Sequence, residues 1–153
     1  MYTEQDYSSI SAQLKKRVLA ASIPAVLLLG GIVWSFIVRI KWLTMLLTAL
    51  TGAYCVFMHG MLIAPVTAYR RHIANALTGR TRKTTGIFKE MEATAVQREG
   101  VQYFPMLITV GDPADPEDDR LFYYDANLPR PDWTSGQKLT ITSHDKFVTA
   151  WEK

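Results

Sequence analysis

Two apolar runs without Asp, Glu, Lys or Arg lie almost end to end in this chain, at residues 18–38 and 42–69. A transmembrane helix needs about 20 consecutive apolar residues to cross a hydrocarbon core of roughly 30 Å. The first run has 21 residues and the second has 28, and only Arg39, Ile40 and Lys41 separate them. We therefore predict a transmembrane hairpin over residues 18–79, with spans at about 18–38 and 42–65.

Basic residues are distributed unequally around the two predicted spans. Lys and Arg accumulate on the cytoplasmic side of membrane proteins. The outer flanks of the hairpin carry eight of them, whereas the short loop carries two, Arg39 and Lys41. We expect both termini to be cytoplasmic, at the plasma membrane. The flanking cations are expected to contact anionic headgroups, and they are Lys15, Lys16, Arg17, Arg70, Arg71, Arg80, Arg82 and Lys83.

Small residues along the spans indicate where helices touch. In lipid, close helix contact depends on small side chains, because the hydrophobic effect gives little help between helices. Two interpretations stay open, namely packing within one hairpin and contact with a second copy or a partner. The candidate helix-packing residues are Gly30, Gly31, Thr48, Gly52 and Gly60.

The polar segment at residues 1–17 predicts a short interfacial helix ahead of the first span. Thr3 and Asp6 match the capping pattern that starts a helix. Tyr7, Ile10 and Leu14 then follow at helical spacing, which favours an amphipathic helix at the membrane surface. A solvated leader is the alternative.

From residue 84 the hydrophobic period changes from helical to alternating, which predicts strands. Five strands are expected, beginning near residues 84, 101, 120, 136 and 147. An isolated hairpin would be marginal, so a closed or curled sheet is required. We predict an α+β membrane protein whose transmembrane hairpin precedes a cytoplasmic five-stranded antiparallel β-barrel of OB-like order at residues 84–153.

A loop at residues 111–119 concentrates five carboxylates in nine positions. Prolines interrupt it and the spacing differs from that of an EF-hand, so no calcium site is predicted. We interpret it as a solvated connection, with docking of a basic partner as the alternative. The candidate interaction surface is Asp115, Glu117 and Asp118, together with Trp133 in the next loop.

No constellation of residues predicts catalysis. Ser143, His144 and Asp145 have the residue types of a hydrolytic triad, but neighbours on a strand point to opposite faces. We interpret them as a hairpin tip. The sequence has no phosphate-binding glycine loop and no paired metal-ligand motif. We therefore expect no enzyme activity, no cofactor, no metal and no small-molecule ligand.

The charge of the C-terminal part argues against a nucleic-acid partner. Residues 84–153 carry seven Lys and Arg against twelve Asp and Glu, and a net negative domain repels phosphates. The leading hypothesis is a non-catalytic adaptor or assembly module that contacts the bilayer and a protein partner or second copy. The alternative is an accessory subunit of a larger membrane complex that works through its helices. A nucleic-acid-binding or enzymatic β domain comes third.

Overall fold

The computed structural model describes residues 1–112 and 115–153. Helix α1 covers Glu4–Ile37, and a second long helix consists of α2 at Lys41–Met58, a π-helical turn at His59–Ile63 and α3 at Ala64–Thr78. The chain divides into two compact units. Residues 8–67 form the hairpin unit, and residues 1–7 together with residues 68–153 form the β unit.

The start of α1 has the predicted capping box. The hydroxyl of Thr3 accepts the N–H of Asp6 at 3.2 Å, and the carboxylate of Asp6 accepts the N–H of Thr3 at 2.8 Å. These bonds satisfy N–H groups at the start of the helix. The Thr3 hydroxyl also donates to the Asp6 carboxylate at 2.8 Å, and this bond, together with that from the Thr3 N–H, lowers the pKa of the Asp6 carboxyl. The helix continues from here to Ile37 without a break, so residues 4–17 and the first predicted span belong to one element.

The hairpin unit has two helices that are long and apolar enough to cross a membrane. At its tip, the N–H of Ile40 donates to the carbonyl of Ser35 at 3.2 Å, and the buried Ser35 hydroxyl bonds to that of Thr44. Further along, the Tyr54 hydroxyl donates to the carbonyl of Ala21 at 2.9 Å. These bonds hold the two helices side by side within the unit.

The π-helical turn at His59–Ile63 comes directly before a proline. The N–H of Ala64 bonds to the carbonyl of His59, five residues back instead of four. Pro65 then has no N–H to give to the carbonyl one turn earlier. Pro65 therefore disturbs the helix here, and the wider turn is the form that the helix adopts next to it.

Six strands form the sheet of the β unit. They are β1 at Arg82–Met91, β2 at Val96–Arg98, β3 at Val101–Thr109, β4 at Asp119–Asp125, β5 at Lys138–His144 and β6 at Phe147–Glu152. Their order is β1-β5-β6-β4-β3-β2, and β1 also pairs with β3. The first half of β1 pairs with β5, and the second half of β1 pairs with β3. The β1–β3 pairing has a register shift between Phe88 and Glu90.

The architecture is thus α+β with a six-stranded mixed sheet, and the predicted five-stranded antiparallel barrel is wrong. One cause is β2, which pairs with β3 through the tight turn at Glu99 and Gly100, where φ is 51° and 80°. Two positive φ values suit a two-residue hairpin. The other cause is β6, which returns beside β4 in parallel, with Tyr123 opposite Phe147.

The β unit has two apolar clusters. The larger one contains Phe88, Met106, Ile108, Phe122, Tyr124, Leu139, Ile141 and Val148. The smaller one contains Val101, Tyr103 and Tyr123, and Ala68 and Tyr69 of α3 pack against it. Helix α3 therefore covers one part of the sheet. In this position, the polar side chains of α3 lie near the end of β4.

We predict that Gly86→Ala destabilises the β unit by about 1–3 kcal/mol, the usual cost of overpacking. Gly86 lies in β1 where β3 approaches closely, and an added Cβ would stand 2.6 Å from Ile108 Cγ2. The measurement is chemical unfolding of the full chain in detergent. Thr85→Ala, at an exposed site in the same strand, is the control and should change stability by less than about 0.5 kcal/mol.

Candidate functional site: the Asp125 cluster

Asp125 is the last residue of β4, and its side chain is fully buried, with 0% exposure. Its Oδ2 accepts the hydroxyls of Tyr2 and Tyr69, each at 2.8 Å. Its Oδ1 accepts the backbone N–H and the side-chain amide of Asn127, each at 2.9 Å. A buried carboxylate is costly unless hydrogen bonds replace its hydration, and here four donors do so.

His72 extends this set of hydrogen bonds. Its Nε2 lies 2.9 Å from the Tyr2 hydroxyl, and its Nδ1 lies 3.0 Å from the Tyr103 hydroxyl. Because Tyr2 donates to Asp125, its oxygen accepts from Nε2–H, and Nδ1 accepts from Tyr103. The arrangement therefore fits a neutral imidazole with its proton on Nε2. We call Tyr2, Tyr69, His72, Tyr103 and Asp125 the Asp125 cluster.

Burial controls the ionisation of the cluster. It lowers the pKa of the His72 imidazole, which favours the neutral ring. Burial and the Asp125 carboxylate both raise the pKa of the Tyr2, Tyr69 and Tyr103 hydroxyls. The three tyrosines thus keep their protons near neutral pH and act as hydrogen-bond donors within the cluster.

Four parts of the chain supply the cluster, namely the N-terminal segment, α3, β3 and β4. Tyr2 precedes the capping box, so its place follows from where α1 begins. Tyr69 and His72 are three residues apart and therefore share one face of α3, with their rings stacked at 6.2 Å. The ring of His72 also meets Phe147 of β6 edge-on, at a centroid distance of 5.9 Å. Aromatic packing and hydrogen bonding thus fix the imidazole together.

A small polar cavity of about 50 Å³ adjoins the cluster. Its walls include His72 and Tyr103 of the cluster, with Arg71, Asn75, Glu99 and His144 around them. That volume holds a few water molecules but no larger ligand. Among the described residues, no group of three or more His, Cys, Asp or Glu side chains could hold a metal ion. The chemistry of the cluster is that of a fully bonded structural network.

The hairpin tip predicted at residues 143–145 is confirmed. β5 ends at His144, Asp145 has a φ of 54°, and β6 begins at Phe147. The Nδ1 of His144 bonds to the carbonyl of Arg80 at 2.9 Å, which ties this turn to the chain after α3. The three residues thus serve a turn and a tertiary hydrogen bond.

The predicted helix-packing residues have different surroundings within the hairpin unit. A Cβ at Gly31 would meet the Leu47 side chain at 3.4 Å, whereas at Gly30, Gly52 and Gly60 it would meet nothing within 4 Å. The Thr48 hydroxyl donates to the carbonyl of Thr44, in its own helix. Gly31 alone of these glycines faces the other helix, and the predicted packing role of the set stays a prediction.

The predicted headgroup contacts also stay a prediction. Arg17 donates to the carbonyl of Leu62 at 3.3 Å, and Lys83 lies 3.8 Å from Glu152. Arg70 is half-buried, and the remaining side chains of this set are exposed, namely Lys15, Lys16, Arg71, Arg80 and Arg82.

The acidic loop uses several of its carboxylates internally. Asp115 accepts the N–H of Glu117 at 2.9 Å, and Asp118 accepts the N–H of Asp112 at 2.7 Å. Residues 113 and 114 of this loop lie outside the described residues. These bonds give the loop the short 3₁₀ turn at Pro116–Asp118. Its role as an interaction surface stays a prediction.

Trp133, predicted as part of that surface, packs against the larger apolar cluster. Its ring meets Phe88, Tyr124 and Trp151 edge-on, at centroid distances of 5.2–5.7 Å. Its indole N–H is buried and has no acceptor in the described part of the chain. The indole therefore contributes to the core and is only partly available to a partner.

Comparison of the chain with protein-family models, curated proteins and solved structures finds no match. The site is therefore interpreted from its own geometry. Sequence reasoning missed the Asp125 cluster, because its members come from segments far apart in the chain. The available signals were an acidic residue closing an aromatic strand and the three-residue spacing of Tyr69 and His72.

We predict that Tyr2→Phe lowers the free energy of unfolding of the β unit by about 1–3 kcal/mol, because Asp125 loses a donor while it stays buried. The measurement is denaturant unfolding of the full chain in detergent. Tyr7→Phe removes the same hydroxyl five residues further on and is the matched control. Equal small effects of both substitutions would contradict the role assigned to Tyr2.

We also predict that the β unit loses stability as the pH falls below 6.5. The pKa of His72 is lower in the folded chain than the ordinary 6.5, so the unfolded chain binds the proton more readily. The contribution of the neutral His72 ring to the free energy of unfolding is therefore fully present above pH 6.5. It decreases as the pH falls from there towards the pKa of the folded chain. His72→Phe should flatten this slope between pH 7.5 and 5.5, whereas His144→Gln should keep it.

Proposed function

We propose that this chain is a membrane-anchored, non-catalytic adaptor or assembly module that presents its β unit at the cytoplasmic face of the plasma membrane. The main support for this membrane topology is the hydrogen bonding of the Tyr2 hydroxyl to Asp125 and His72. Residues 1–7 and 68–153 form one compact unit, so both must lie on the same side of a membrane. Two crossings by the intervening helices satisfy this requirement.

The distribution of Lys and Arg supports the cytoplasmic side. Eight cations flank the hairpin on the side of the β unit, and two lie at its tip. Removal of the N-terminal segment as a signal peptide would also remove Tyr2 from the Asp125 cluster. A retained hairpin is therefore the membrane arrangement that keeps the buried carboxylate satisfied.

The free edge of the sheet supports the adaptor role. β2 is the last strand in the sheet order, and none of the described strands pairs with its outer edge. Gln97 and Arg98 of β2 also line a groove of about 720 Å³, together with Tyr123, Lys146 and Phe147. Exposed edges accept extended peptides by strand addition.

The charges and rings of the groove favour a polar protein segment as the partner. Arg98 lies over the ring of Tyr123, 4.7 Å from its centroid. Lys146 adds a second cation, while Glu99 and Asp145 supply two carboxylates in the same lining. A surface of both signs suits a peptide better than a uniformly charged phosphate polymer.

The alternative is an accessory subunit that works through its spans. The support for it is the open space next to Gly30, Gly52 and Gly60 within the hairpin unit. Small residues of this kind allow another helix to approach closely in lipid. This second function differs from the first in the surface that a partner would contact.

We predict that a photo-crosslinking residue at Gln97 captures a protein partner in native membranes, because Gln97 is exposed on β2. Mass spectrometry would identify the adducts. The matched control is the same residue at Lys138, which is exposed on β5. Adducts from Gly52 and Gly60 but not from Gln97 would favour the accessory subunit, and adducts from none of these positions would contradict both proposals.

A further inference from the structure

The tip of the hairpin unit carries an apolar groove bordered by two basic side chains. The groove has a volume of about 460 Å³ and is lined by Phe36, Arg39, Lys41, Thr44 and Met45. The Phe36 and Met45 side chains are 74% and 75% exposed. This open apolar wall offers space for a hydrocarbon chain from outside the hairpin unit.

The two cations of the groove have no acidic partner in their own unit. The sequence contains no Asp or Glu between Asp6 and Glu90, so residues 8–67 have no carboxylate. Arg39 and Lys41 are both exposed. Any carboxylate or phosphate that pairs with them therefore comes from outside the hairpin unit.

The backbone at the tip is consistent with this use of charge. Arg39 has a φ of 60°, a conformation that glycine adopts without cost and that other residues rarely adopt. Ile40 follows it and gives no side-chain cap to the start of α2, so the positive end of that helix lies beside Arg39 and Lys41. The positive end of α2 adds to the attraction for an anion, but the groove and its unmatched cations are the main support for the inference.

We propose that the groove binds one anionic glycerophospholipid. The phosphate lies between Arg39 and Lys41, and an acyl chain lies along Phe36 and Met45. This inference rests on the proposed membrane topology, which places the hairpin tip at the outer bilayer surface. A lipid fits better than free phosphate because it covers the apolar wall and neutralises both cations at once.

The test uses the full chain in nanodiscs of phosphatidylcholine with a minority of phosphatidylglycerol. Native mass spectrometry of the released protein measures how much phosphatidylglycerol stays bound. The double variant Arg39→Gln, Lys41→Gln should bind it about 30-fold more weakly, since each Lys or Arg near an anionic surface contributes roughly a fivefold factor. The double variant Lys138→Gln, Lys153→Gln removes the same charge from exposed sites in the β unit and should retain it.

A second variant examines the apolar wall. Met45→Glu places a carboxylate in the groove and should reduce retention at least as strongly, with helical content by circular dichroism confirming that the protein is folded. Equal loss in both double variants, unchanged retention, or displacement of the lipid by inorganic phosphate would overturn the inference. Release of the wild-type chain by alkaline extraction would overturn the membrane proposal itself, whereas a retained chain without bound lipid would overturn only this one.

Discussion

The buried carboxylate of Asp125 is the constraint on which the β unit depends. A strand of Phe122, Tyr123 and Tyr124 is stable in an apolar interior, but Asp125 at its end is stable there only with donors. Two of the four donors come from Asn127, close to it in the chain. The others are hydroxyls of Tyr2 and Tyr69, from the N-terminal segment and α3. The sheet by itself therefore leaves the carboxylate half satisfied.

This requirement explains why the first residues of the chain belong to the β unit. Tyr2 and Asp125 are 123 residues apart in sequence, with the entire hairpin between them. Closing so long a loop costs little more than closing a moderate one, because the entropy grows only with the logarithm of its length. The hairpin is thus an insertion within a fold that needs residues on both sides of it. A fragment that begins at residue 84 would lack Tyr2, Tyr69 and His72.

Local patterns predicted the local features of the structure. Hydropathy predicted the two long apolar helices, alternation predicted five of the six strands, and Thr3 with Asp6 predicted the start of α1. The short strand β2 has only three residues, too few for alternation to reveal it. The parallel contact of Tyr123 with Phe147 depends on how a later hairpin folds back, which no local period encodes.

The Asp125 cluster was not predictable for the same reason. Its bonds join residues that are 31 to 123 positions apart. The spacing of Tyr69 and His72 indicates a shared helix face but gives no sign of a buried carboxylate opposite it. Finding the cluster requires the pairing of β3 with β4, which brings Tyr103 opposite Asp125.

The division between satisfied and unsatisfied polar groups distinguishes the interior of the β unit from the surfaces of the chain. Inside the β unit, the hydroxyls, imidazole and carboxylate of the cluster satisfy one another. The surfaces differ in this respect. The edge of β2 carries backbone groups without a partner strand, and Arg39 and Lys41 lie in a unit without a single carboxylate. These incomplete hydrogen bonds and charges are the observations that support the proposed binding at the surfaces of the chain.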